Sequence, residues 1–562
     1  SPAARPTRGL MATDWSGTGR LRVPVGIVDR PYEQRRDPLV VELDGAAGNV
    51  VIVGGPRSGK STLLRSLICS LALTHTPREV QFFCLDFGGG TLRGLDGLPH
   101  LSGVAGRRDA EAIRRTVAEV TALLDEREAY FAEHGIESIA AYRQRRAADP
   151  ALATTTDRYE QFGDVFLVVD GWGVLRQEHE NLEQTITNLA ARGLGFGIHV
   201  VLTATRWAEV RINLRDLLGS RLELRLGDPT ESEIDRRAAV NVPERTPGRG
   251  LTRDKLHFLA AVPRIDGKET DADLAAGTTD LINRVRAAWP YPPAPAVRLL
   301  PRRLPVAELR ELVAAERGRG GVGQPAPGGR EPVSVAIGLN EAQLAPVHLR
   351  FDTEPHLLVF GDAECGKTNL LRLIATSLVE RYTPTEVRII IIDYRRSLLG
   401  AISGDHLLEY APSAKVVSEM IGSLRDALSK RLPGPDVTPE QLRARSWWRG
   451  PELFILVDDY DLVATSGSNP LSGLLELLPQ ARDIGLHLVV TRRVGGAARA
   501  LYDPIIQRLR ELDSPGLLMS GNKEEGVLLG NLRPSPQPPG RGTLIRRSDG
   551  TNLIQTAWVD PN

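Results

Sequence analysis

The sequence predicts an α/β protein made of two tandem copies of one domain, each a mostly parallel β-sheet flanked by helices and carrying a phosphate-binding loop. Three observations predict it. A glycine-rich turn ending in Lys60-Ser61 follows an apolar run and precedes a helical pattern. A second such turn, ending in Lys367-Thr368, comes 307 residues later. Around both, short β-branched runs alternate with amphipathic helical stretches, the pattern of parallel strands joined by crossover helices.

The first turn is Gly54-Gly55-Pro56-Arg57-Ser58-Gly59-Lys60-Ser61, between the strand-like run Asn49-Val50-Val51-Ile52-Val53 and the helical run that opens at Thr62. It reads as a Walker A loop. Gly54 and Gly59 let the backbone curl so that successive N–H groups and the helix start face a polyphosphate. Lys60 is expected on the β- and γ-phosphates of ATP, and the Ser61 hydroxyl on Mg²⁺.

At 562 residues the chain exceeds a single core, since a domain holds about 100–200 residues. Charged residues are 25% and apolar ones 41%, an ordinary globular balance that excludes wholesale disorder. The formal net charge of +0 provides no global field toward DNA or anionic lipid. Cys69, Cys84 and Cys365 have neither disulfide nor zinc spacing and fit a reducing cytosol. No apolar run reaches the roughly 18 residues that a membrane span requires. The Ser1-Pro2-Ala3-Ala4 start has no signal-peptide layout and reads as a processed chain or a fragment.

In chain order, residues 1–20 read as a flexible lead-in. The first domain is expected over 21–290. Val80–Asp86 and Asp164–Asp170 are buried strands that end in a carboxylate, and Gly197–Arg206 is a third that ends in hydroxyl and basic groups. Residues 291–330 are rich in Pro, Gly and Arg and read as a linker enclosing a short helix near 306–317. The second domain, 331–562, repeats the plan. Its loop is Gly361-Asp362-Ala363-Glu364-Cys365-Gly366-Lys367-Thr368, with Asn369 next. Asp393 also lies 307 residues beyond Asp86; Asp458 and His487 each lie 288 beyond Asp170 and His199; and Pro247-Gly248-Arg249-Gly250 returns as Pro539-Gly540-Arg541-Gly542. A duplicated domain with loops of changed length accounts for these offsets.

Asp170 and Asp458 are the Walker B candidates, expected to hold Mg²⁺ with Ser61 and Thr368. The alternative is a strand-end carboxylate that caps a helix or pairs with arginine. His199 and His487 read as core residues of buried strands. Trp447 and Trp448 are either a partner patch or core.

The tandem loops, Asp86-Phe87-Gly88-Gly89-Gly90, the helix ending Tyr130-Phe131-Ala132-Glu133-His134-Gly135-Ile136, the Val201–Arg206 strand and the Pro-Gly-Arg-Gly turn together resemble the FtsK/SpoIIIE family of RecA-like ATPases. Two such domains on an uncharged chain look more like the EccC-type motors of type VII secretion than like a DNA pump. The resemblance implies ATP and Mg²⁺ as cofactors and assembly into a homo-oligomer. It also implies export substrates recognised through a C-terminal signal, and a membrane-anchored motor domain or subunit as partner. The location implied is the cytoplasm, at the inner face of the cell membrane. Two alternatives stand beside this reading: an FtsK-like DNA translocase, which would require clustered Lys/Arg, and a structural module that binds nucleotide without hydrolysing it.

Hydrolysis needs a carboxylate beside the Mg²⁺-holding Asp. Gly171 follows Asp170, so slow or absent turnover is expected in the first copy; Asp459 follows Asp458 and is the candidate base of the second. Asp362 and Glu364 put negative side chains into a phosphate loop and are read as facing solvent. The FtsK-like placement makes Arg221 the candidate arginine finger acting in trans, with Arg225 as alternative; an exposed edge-strand arginine is the competing reading. Arg508 and Arg510 follow the corresponding strand of the second copy with a poor local match. Thr205 and Thr491 are read either as phosphate sensors or as strand-end hydroxyls.

Overall fold

A computed structural model describes residues 2–5, 9–12, 21–148, 163–268, 270–318, 332–465 and 468–561. The chain divides into two compact units, Ser1–Leu299 and Leu300–Asn562.

In chain order the first unit contains strands β1 (Pro2–Arg5), β2 (Gly9–Ala12), β3 (Arg22–Arg30), β4 (Arg35–Glu42), β5 (Val50–Val53), β6 (Val80–Asp86), β7 (Leu101–Gly106), β8 (Asp164–Asp170), β9 (Ile198–Ala204), β10 (Ser220–Leu224), β11 (Arg249–Leu251) and β12 (His257–Ala260). Among the described residues, ten of them form one sheet in the order β4-β3-β12-β11-β10-β5-β9-β8-β6-β7. From β10 to β7 all pairings are parallel, and from β10 back to β4 they are antiparallel. Strands of the parallel block are apolar on both faces because helices cover both. Val50 and Ile52 pack with Leu63, Leu64 and Leu67 of the helix Lys60–Thr74. Val51 and Val53 share the opposite core with Ile113 and Val117 of the helix Ala110–His134.

The second unit contains β13 (Leu304–Pro305), β14 (Ser334–Asn340), β15 (Pro346–Arg350), β16 (His356–Phe360), β17 (Val387–Ile392), β18 (Leu407–Ala411), β19 (Glu452–Val457), β20 (Leu486–Arg492), β21 (Gly516–Leu518), β22 (Arg541–Arg546) and β23 (Gly550–Trp558). Its order, β15-β14-β23-β22-β21-β16-β20-β19-β17-β18, reproduces that of the first unit strand for strand. Even the irregularities recur: the outer hairpin slips register at Pro24/Gly26 in one copy and at Ala336/Gly338 in the other. At both slips a glycine lets the neighbouring strand close in. A Cβ on Gly26 would lie 2.3 Å from the Leu259 carbonyl oxygen, and one on Gly338 2.0 Å from that of Gln555.

Two boundary readings change. Within the stretch read as a flexible lead-in, β1 and β2 pair antiparallel, Pro2 opposite Ala12. The stretch read as a linker is largely built into the domains. Ala294 and Val297 donate backbone N–H groups to Pro99 and Ser102 of the first unit. From Leu300 the chain joins the second unit, where Leu300, Leu304 and Leu309 are buried and β13 pairs with β23. The buried Arg541 guanidinium holds the start of the second unit onto that unit's own sheet by donating to the carbonyls of Leu300 and Pro301, both at 3.1 Å. Apolar residues spaced within the Pro/Arg-rich segment supply this burial, which composition alone hides. Residues 319–331 lie outside the described residues.

The histidines of the repeat are structural, as read. His199 lies between the Gly48 carbonyl (3.1 Å) and Asp164 (3.0 Å), stacked on Phe166. His487 makes the same arrangement with Pro355, Glu452 and Phe454. Trp448 is buried, its indole N–H on the Asp483 carbonyl, and Trp447 donates to that of Arg431, so both serve packing.

Gly338→Ala is expected to destabilise the second domain by about 1–3 kcal/mol, because the new methyl must displace the β23 backbone; a fall in the midpoint of that domain's thermal transition checks it. A second expectation concerns acid. Burial of His100 pushes its pKa down to about 4, against about 6.5 when unfolded. The unfolded chain therefore takes up the proton first. This part of the first domain's stability is intact above pH 6.5 and falls by about 3 kcal/mol as pH drops from 6.5 to 4. Denaturant titrations across that range should show a weaker acid dependence in His100→Asn.

Candidate functional site

The site sits at the carboxyl ends of the parallel strands, where β5 and β16 run into the glycine-rich turns. Gly59 (φ +102°) and Gly366 (φ +109°) close those turns in a conformation that side chains rarely adopt. Each turn is backed by the repeated Pro-Gly-Arg-Gly segment. Gly248 N–H donates to the Ser58 carbonyl and Gly540 N–H to that of Cys365, both at 2.8 Å. Cys365 thus stands where the first copy has Ser58, inward beneath its loop against Met519.

The loop lysines turn back on their own loops. Lys60 Nζ donates to the carbonyls of Gly54 (2.6 Å) and Gly55 (2.9 Å), and Lys367 Nζ to that of Asp362 (2.9 Å). Burial lowers the Lys60 pKa, and the nearby carboxylates of Asp170 and Glu209 oppose that shift. Glu364 is exposed and replaces Arg57 of the first loop, while Asp362 is half-buried.

Asp170 and Asp458 are buried at their strand ends. In the second copy Thr368 Oγ1 donates to Asp458 at 2.7 Å, which joins loop hydroxyl and Walker B carboxylate directly. Burial raises the Asp458 pKa, with the charges of Asp459 and Asp393 adding to it and the Thr368 and Thr491 hydroxyls opposing. In the first copy Asp170 accepts from Thr203 at 2.6 Å and from Thr91 at 3.4 Å. The donor set, a loop hydroxyl beside a strand-end carboxylate, suits hard Mg²⁺, and the loop backbone suits polyphosphate. Ser61, Asp170, Thr368 and Asp458 would hold the metal, which would neutralise phosphate charge there.

Several expected residues are placed differently. The counterpart of Thr491 is Thr203, not Thr205. Thr203 and Thr491 each donate to the Walker B Asp and accept the N–H of the residue after it, Gly171 (2.8 Å) or Asp459 (3.1 Å). Thr205 instead presents its N–H to Glu209 (2.8 Å). Asp86 and Asp393 are loop holders: Asp86 accepts the N–H groups of Gly88, Gly90 and Leu92, and Asp393 those of Arg395 and Leu398. Arg221 lies at the start of β10, level with Val51, at the strand end away from the phosphate loop. Its guanidinium is bound to the carbonyls of Leu218 (3.1 Å) and Arg215 (2.8 Å) of its own domain. Arg225 likewise caps the carbonyls of Ala239, Val240 and Val242. In this conformation neither is a free finger. Arg508 and Arg510 lie on the helix Pro504–Glu511, Arg508 paired with Glu511.

Gly171 (φ +96°) could not bear a side chain unstrained, because a Cβ would lie 3.1 Å from Phe87 Cβ. Asp459 is buried with φ +46°, its carboxylate 2.8 Å from Arg395 and 3.9 Å from Lys367. Three residues that sequence reading overlooked therefore belong to the sites: Thr203, Glu209 and Arg395. The 288-residue offset from Thr491 could have found the first; Arg395 aligns with Gly88, so the repeat does not mark it. Glu209 comes from a loop without a counterpart at either offset. Beside the second loop, a pocket of about 260 Å³ lies between Gly366, Asn369, Pro539, Thr556 and Trp558.

Two phosphate loops, each with a Walker B carboxylate two strands away and a hydroxyl on the strand between, define a tandem P-loop ATPase of the RecA-like kind. The chain belongs to the FtsK/SpoIIIE family, whose model matches residues 10–266 and 328–433, and it resembles EccC proteins of ESX secretion systems, spanning less than half the length of two of them. It is 57% identical over 558 residues to the ESX secretion system protein EccC of Thermomonospora curvata, covering 99% of this chain and 40% of that protein. It is 39% identical over 546 residues to the ESX-1 secretion system protein EccCb1 of Mycobacterium tuberculosis, covering 96% of this chain and 90% of that one. The solved structure of Thermomonospora curvata EccC (ATPases 2 and 3) in complex with a signal sequence peptide is 55% identical with a TM-score of 0.88, covering 100% of this chain and 97% of that chain. No helix among the described residues is long and apolar enough to cross a membrane.

Gly171→Ala is expected to cost the first domain about 1–3 kcal/mol, since it adds a methyl against Phe87 at a positive φ. Thermal unfolding checks it, and an unchanged midpoint would show that this backbone relaxes freely.

Proposed function

We propose that the two domains are the nucleotide-holding pair of a type VII secretion motor, binding ATP and Mg²⁺ tightly and turning ATP over slowly. The observation that carries this reading is the state of the residue after each Walker B Asp. In the first copy it is Gly171, which has no side chain and where a Cβ would crowd Phe87 at a positive φ, and in the second it is Asp459, already engaged by cations. The phosphate loops and the Thr368–Asp458 contact support binding, and the pocket beside Trp558 offers a flat apolar seat for a base. In this reading the chain works in the cytoplasm, recruited to the inner membrane face by a membrane-anchored motor domain or subunit, and assembles with further copies. The relative solved with a signal sequence peptide supports substrates recognised by a C-terminal export signal. Neutral net charge supports protein rather than nucleic acid as cargo.

The test is nucleotide content and phosphate release of the purified chain, with Lys60→Ala and Lys367→Ala made separately. Expected are retained ATP, one equivalent lost in each variant, and turnover well under about 1 per second. Brisk turnover abolished by Lys60→Ala would overturn the reading of the first site. Saturable, salt-sensitive DNA binding would overturn the choice of cargo.

A further inference from the structure

The two copies differ at a matched pair of positions. In the second, Arg395 Nε lies 2.8 Å from Asp459 Oδ2, and Lys367 Nζ lies 3.9 Å from Oδ1. At the repeat offsets, Arg395 corresponds to Gly88 and Asp459 to Gly171. The first copy therefore lacks both members of the ion pair, and a side chain at either position would be crowded. A Cβ on Gly88 would lie 2.3 Å from Asp170 Oδ2, and one on Gly171 3.1 Å from Phe87 Cβ. Cation and anion are present together or absent together, so this paired exchange by itself leaves the net charge of the site unchanged.

A carboxylate that activates water must offer it a lone pair. Asp459 instead turns both oxygens toward cations. When Lys367 leaves for the phosphates, Arg395 remains, and its side chain, 45% exposed, holds the carboxylate from the rim of the site. We propose that Arg395 is a positioning residue that latches Asp459, keeping it from the attacking water while cancelling its repulsion of ATP. Hydrolysis would bond the water oxygen to the γ-phosphorus and break the bond to the β–γ bridging oxygen. ADP would leave with that electron pair, and the water proton would pass to Asp459. Latched, Asp459 points Oδ2 at the Arg395 guanidinium; released, its side chain is free to turn toward the water. This inference rests on the reading above that the second loop binds ATP.

The test uses the full chain in a Lys60→Ala background, so that the second site alone is read, with fluorescent ATP-analogue titration and phosphate release measured side by side. Arg395→Gln should raise turnover about tenfold and weaken ATP binding about three- to fivefold. Arg395→Lys should retain most of the latch. Arg395→Gln combined with Asp459→Asn should restore affinity and lose the gain in turnover, a pattern that a merely structural arginine would not produce. Turnover unchanged or lowered in Arg395→Gln, with ATP still bound, would overturn the latch. A Lys60→Ala chain that takes up no ATP would instead overturn the nucleotide-binding reading on which it rests.

Discussion

Each phosphate loop is tied to the antiparallel half of its sheet by one backbone hydrogen bond that recurs in both domains. Gly248 N–H to the Ser58 carbonyl, and Gly540 N–H to the Cys365 carbonyl, tie the phosphate loop to the turn that opens the antiparallel half of the sheet. The loop emerges from the parallel half. The bond therefore clamps the junction of two differently paired sheets at the point where successive N–H groups must be held open for an anion. A loop held by its own residues alone would be free to collapse onto its lysine. The brace leaves Lys60 and Lys367 as the moving parts, parked on loop carbonyls and able to exchange them for phosphate oxygens.

Around that clamp the copies share topology, register slip and hydroxyl network but not charge. The Thr203–Asp170–Gly171 and Thr491–Asp458–Asp459 arrangements are superimposable in hydrogen-bond pattern. What varies is what lies just outside them. Arg57 gives way to Glu364 on the loop, and Gly88 and Gly171 to Arg395 and Asp459. A shared fold with shifted charge is what duplication followed by separate specialisation produces, since a packed core tolerates little change while rim charges alter function at small cost in stability.

The fold was legible because its signals are local and repeated. Walker A loops need a strand before and a helix after, and both contexts can be read from residue order. Offsets of 307 and 288 residues marked equivalent strands that structure then paired identically. The domain junction was not legible: Leu300, Leu304 and Leu309 are sparse apolar positions in a Pro/Arg-rich segment, and their burial depends on β23, some 250 residues away. Arg221 is legible as a position on β10, but the carbonyls of Leu218 and Arg215 that hold its guanidinium come from the segment before the strand, which strand pattern does not show. Thr205 misled by a two-residue slip within a hydroxyl-rich strand end, which the 288-residue offset of the histidines would have corrected.

The carboxylate after Walker B is the position where residue identity and three-dimensional setting point in different directions. By identity alone Gly171 is a loss and Asp459 a retained base. In three dimensions both are solutions to one electrostatic problem: an anion beside polyphosphate raises the free energy of the bound state unless it is removed or neutralised. The first domain omits it at this position, where a Cβ on Gly171 would lie 3.1 Å from Phe87 Cβ. The second neutralises it with Arg395. Catalysis requires interactions stronger in the transition state than in the ground state, and a carboxylate held by an ion pair before ATP arrives is oriented for the ground state. On the proposed reading, the two domains reach nucleotide binding by different residues. Only the second keeps the group from which turnover could be recovered.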